Sequence, residues 1–77
     1  MNINIEKFLK KFNEEYDYLY NNYDHVAGYQ EALEAGDKFI TNNLDFVREF
    51  CKYRGDILSS DREVVAFMFA LDSMTEQ

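Results

Sequence analysis

From Ile5 onward the apolar positions fall at Ile5, Phe8, Leu9, Phe12, Tyr16, Leu19 and Tyr23. Steps of three and four residues of this kind draw one apolar stripe along an amphipathic helix. The spacing predicts helix 1 over about residues 3–21, ended by the Asn21-Asn22 pair. "YDYLY" at 16–20 alternates as a strand does, but the longer helical period around it prevails. Asp24 is the expected N-cap of helix 2, which runs over about residues 25–41 with Val26, Tyr29, Leu33, Gly36 and Ile40 facing inward. Ala32 and Phe39 flank that set. Gly36 either lets two helices approach closely or ends helix 2 and splits it. Asn42 or Asn43 starts helix 3, whose apolar face is Leu44, Val47, Phe50 and Cys51. Lys52 and Arg54 followed by Gly55 mark its end, because cations and a left-handed glycine suit a helix C-terminus.

The strongest local signal is "SDRE". Ser60 as N-cap with Glu63 three residues later forms a capping box ahead of an apolar run. Helix 4 therefore spans about residues 61–74, and in "DREVVAFMFALD" every residue from Val64 to Leu71 is apolar. Val64, Phe67, Met68, Leu71 and Met74 form one side, with Val65 and Phe69 round its edge. A helix apolar nearly all round needs cover nearly all round. Two arrangements supply it. Helix 4 is the centre of a monomeric bundle, or Val65, Met68 and Phe69 form an oligomer interface, most simply a two-fold homodimer. The expected fold is all-α, a compact bundle of about four short helices in a single domain covering residues 1–77.

Composition narrows the class. A chain of 77 residues has room for one core of modest stability. With 47% hydrophobic and 17% aromatic residues it is too apolar to stay disordered. There is no proline, which favours long helices. The lone Cys51 lies among Phe46, Val47 and Phe50 and reads as a core thiol. No signal-peptide layout opens the chain, and the apolar run is far short of the ~20 residues of a membrane span. A cytoplasmic, reducing location is the expectation.

Net charge is −7, and its placement says more than its size. Between Phe12 and Asp37 lie Glu14, Glu15, Asp17, Asp24, Glu31, Glu34 and Asp37, with no lysine or arginine. The rest of the chain holds eight acids and eight bases, so this segment carries the whole imbalance. The same segment holds Tyr16, Tyr18, Tyr20, Tyr23 and Tyr29, five of the six tyrosines. Helix 1 also places Lys7, Lys10 and Lys11 before Glu14, Glu15 and Asp17, the reverse of what the helix dipole prefers. Helix stability alone would not arrange charges so. An anionic, phenol-bearing face has no footprint for direct nucleic-acid binding and suits a basic protein surface. Exposed tyrosine supplies rigid apolar area with a polar tip, and carboxylates stand where phosphates would. The candidate partner-binding residues are Glu14, Glu15, Asp17, Tyr18, Asp24, Glu31 and Glu34.

Other chemistry finds little support. The single His25 has no cue linking it to Cys51 or a serine, so no enzyme is expected. One histidine and one cysteine are too few for a transition-metal site, and "DHVAG" does not fit a calcium loop. Glu31 and Glu34 make half of a carboxylate metal motif without its histidine partner. No glycine-rich phosphate loop appears, and no cofactor is expected. Helix 4 lacks the polar side chains of a DNA-recognition helix. Its flanking acids disfavour a membrane surface.

The expected function is that of a non-enzymatic acidic protein that occludes a basic, nucleic-acid-binding surface on a larger protein. In size and charge the chain is similar to small acidic inhibitors that phages make against host nucleases and CRISPR complexes. That similarity is one of composition and rests on no shared motif. Two alternatives belong to other classes. One is a dimerisation or adaptor module working through helix 4. The other is a small-ligand sponge lined by tyrosines, for which Lys7, Lys10 and Lys11 are the available cations.

Overall fold

Helices form where the apolar period lies, and they stop where a side chain or a glycine takes up the orphan backbone groups of a helix end. A computed structural model describes residues 3–22 and 25–75. Its helices are α1 (Ile5–Asn22), α2 (Tyr29–Asn42), α3 (Leu44–Arg54) and α4 (Asp61–Thr75). Asn4 caps α1, its Oδ1 accepting from the Lys7 N–H at 3.1 Å. At the other end the Asn21 and Asn22 amides donate to the carbonyls of Asp17 and Tyr18 at 3.0 and 2.8 Å. This is the stop expected from that pair.

Helix α2 begins four residues later than the sequence pattern suggests. Gly28 adopts φ 80°, a left-handed geometry that a right-handed helix cannot run through, and α2 starts at Tyr29. The proposed cap Asp24 lies outside the described residues. Gly36 does not split α2; it is buried in an unbroken helix. Asn43 alone separates α2 from α3, and its side chain donates back to the Phe39 carbonyl at 2.9 Å rather than capping α3. Gly55, at φ 83°, ends α3 as expected, with its N–H bonded to the Cys51 carbonyl at 2.8 Å.

Helix α4 lies at the centre. It packs extensively on α1 and α2, while α3 touches α1 and α2 more narrowly. Phe8 of α1 meets Phe67, and Tyr16 and Tyr20 lie by Arg62, so α1 runs antiparallel to α4. Phe67 is the hub of the core. Its ring sits 5.1 Å from Phe8, 5.2 Å from Phe50, 5.8 Å from Phe39 and 6.0 Å from Phe46. Most of these pairs are edge-to-face, the geometry that sets positive ring edges against negative faces.

Gly36 explains how one chain covers α4. A Cβ on Gly36 would collide with Val64 Cγ1 and stand 3.0 Å from Met68 Cγ. Its absence lets α2 settle directly on α4. Val64 and Met68 are buried at this contact, and Val65 is fully enclosed by the chain's own helices. Of the three residues considered for an oligomer interface, only Phe69 keeps partial exposure.

Among the described residues of this apolar helix, one charged side chain is buried. Glu63 is only 6% exposed. Its Oε2 pairs with Arg54 Nη2 at 2.7 Å, and its Oε1 accepts from the Ser59 N–H, Ser59 Oγ and Ser60 Oγ at 3.1, 3.1 and 2.9 Å. Ser60 Oγ in turn accepts from the Glu63 N–H at 3.2 Å. The capping box is thus present, with the carboxylate reaching one residue further back than the usual pattern. Arg54 also donates to the Ile57 carbonyl at 2.8 Å and lies 4.8 Å above the Phe12 ring. It therefore ties the end of α3 to the start of α4 and to α1. Burial pushes the Glu63 carboxyl up, but the Arg54, Ser60 and Ser59 hydrogen bonds outweigh it and hold the carboxyl below its ordinary value of 4.5.

Two outcomes follow from this packing. Gly36→Ala gains helix propensity worth about 1 kcal/mol. It must displace Val64 and Met68, and overpacking of this kind costs about 1–3 kcal/mol. A lower urea midpoint is expected, and an unchanged or higher one would contradict the close approach. The second outcome concerns Arg54→Met, which leaves the Glu63 carboxylate buried without its cation. At neutral pH the loss should be about 3–5 kcal/mol. Because the folded carboxyl is depressed, its stabilisation is complete above the ordinary 4.5 and lost as pH falls through the folded value. Denaturation at pH 7 and at lower pH should show the gap between wild type and variant closing below 4.5. A gap independent of pH would mean the pair does not stabilise through charge.

Candidate binding surface

The second half of α1 carries the densest group of candidate residues because its apolar stripe, Phe12, Tyr16 and Leu19, faces the core and turns the intervening positions outward. Glu14 and Tyr18, four residues apart, share one side of the exposed surface. Asp17 lies beside them and is also exposed. Tyr18 is 52% and Tyr20 66% exposed, unusual values for rings of this size. No basic residue stands in the last turn of α1, so the partial negative charge of the helix end adds to these carboxylates.

The chain's own cations reduce part of that charge. Lys11 Nζ lies 3.8 Å from Glu14 Oε2 and 3.4 Å from Glu15 Oε1. Glu15 is half-buried, so it contributes less surface than Glu14. Among the described residues Asp17 has no ion pair. Tyr20 is held from the side by Arg62, whose guanidinium sits 4.9 Å above its ring and 6.0 Å from that of Tyr16. Arg62 escaped the sequence reading because it lies forty-two residues further along the chain, and only antiparallel packing brings it to α1.

Glu31 and Glu34 are exposed on α2, with Lys38 exposed on the same helix. Helices α1 and α2 rest on different sides of α4 and do not approach each other directly. The acids therefore form two groups rather than one continuous face. Asp24, which would lie between them in sequence, is outside the described residues. Tyr16 of α1 and Tyr29 of α2 both line a cavity of about 290 Å³, completed by Ser60, Asp61 and Arg62. Another depression of about 400 Å³ lies at the α2–α3 junction, lined by Thr41 to Phe46.

His25 is exposed in the turn before α2, and Cys51 is half-buried on α3. No group of three or more His, Cys, Asp or Glu side chains gathers as metal ligands among the described residues. No described helix is long and apolar enough to cross a membrane. No family model, curated protein or solved structure matches the chain.

The two cations beside α1 should differ in what they do. Lys11→Gln is expected to leave the urea midpoint almost unchanged, since exposed pairs at this spacing contribute about 0.3–0.5 kcal/mol. Arg62→Gln removes a cation from two rings and should cost about 1 kcal/mol or more. Tyr20 ring resonances followed by NMR should shift in the Arg62 variant and not in the Lys11 variant. Equal shifts in both would overturn the assignment of Arg62 as the side chain that positions Tyr20.

Proposed function

We propose that this protein is a non-enzymatic binding protein that docks the acidic, tyrosine-bearing surface of α1 on a basic protein surface. The partner class is a nuclease or another nucleic-acid-binding protein, whose cationic groove the chain occludes. The observation that carries the reading is the exposure of Glu14, Asp17 and Tyr18 together on a helix whose other side is firmly buried. Carboxylates on such a helix meet lysine and arginine, and the Tyr18 ring adds contact area at low entropic cost. Glu15 supports the field from a half-buried position. Glu31 and Glu34 on α2 form a second, separate acidic group, which bears on a partner only if that partner reaches around α4.

The test is capture of partners from cell extract on the immobilised protein, followed by a nucleic-acid displacement assay on the protein captured. Capture should weaken steeply between low and high salt, as electrostatic docking does. Asp17→Lys with Tyr18→Ala should abolish capture while leaving the urea midpoint unchanged, since both side chains face water. The captured protein should lose its nucleic acid when this chain is added. Capture that ignores salt, survives the double variant, or leaves nucleic acid bound would refute the reading.

A further inference from the structure

We draw no further inference here: the strongest candidate, the cavity between α1, α2 and the first turn of α4 lined by Tyr16, Tyr29, Ser60, Asp61 and Arg62, sets an acid and a base in the same wall with Arg62 already engaged over Tyr20 and Tyr16, so nothing in the structure selects the charge or chemical class of an occupant.

Discussion

The fold depends on enclosing a helix that has almost no wet side. From Glu63 to Leu71, every residue of α4 except Phe69 is buried. Full burial of a valine, phenylalanine, methionine or leucine contributes about 1.5–3 kcal/mol each. Val64, Val65, Phe67, Met68 and Leu71 together outweigh any surface pair in the molecule, where exposed ion pairs contribute well under 1 kcal/mol. The remaining architecture serves that burial. Gly36 removes the side chain that would hold α2 away, and Ala66 and Ala70 keep other parts of the α4 surface small. Phenylalanines from α1, α2 and α3 close on Phe67 from the rest.

A helix so apolar still needs its first turn satisfied, and this is the place of the one buried carboxylate among the described residues. Glu63 answers the start of α4 through Ser59 and Ser60 and the end of α3 through Arg54. A buried pair is no large source of stability against an apolar alternative, but it tolerates few geometries. Its effect is to fix how α3 and α4 meet across the loop from Gly55 to Ser60. Arg54 over Phe12 extends the same constraint to α1. The candidate surface on α1 thus stands on a helix held from behind by the aromatic core, with Arg54 of the polar network over its Phe12 ring.

Much of this was legible in the one-dimensional pattern. The three-and-four spacing of Phe8, Phe12 and Leu19 marks α1, Gly55 marks the end of α3, and Ser60 with Glu63 marks the start of α4. Each is a local device whose physics lies within a few residues. The start of α2 was not legible, because Asp24 and Gly28 are both reasonable boundary residues and the left-handed backbone at Gly28 depends on where the chain turns. The double role of Gly36, helix breaker or contact point, has no local answer either. The candidate site was legible as a list of acids and tyrosines and not as a surface. Sequence proximity of Asp17 and Glu31 says nothing about α4 standing between their helices.

By itself, the order of residues determined the helical class, every helix end except the start of α2 to within a residue or two, and the concentration of negative charge between Phe12 and Asp37. These are short-range or additive properties, set by backbone geometry, capping groups and formal charge. Tertiary structure alone decided that one chain suffices to bury Val65, that Arg62 attends the acidic end of α1, and that Glu63 is neutralised by Arg54. Those outcomes require residues far apart in sequence to meet. The physical reason is that a side chain's partner is fixed by which helix faces it, and helix packing is settled by the fit of the whole core around α4.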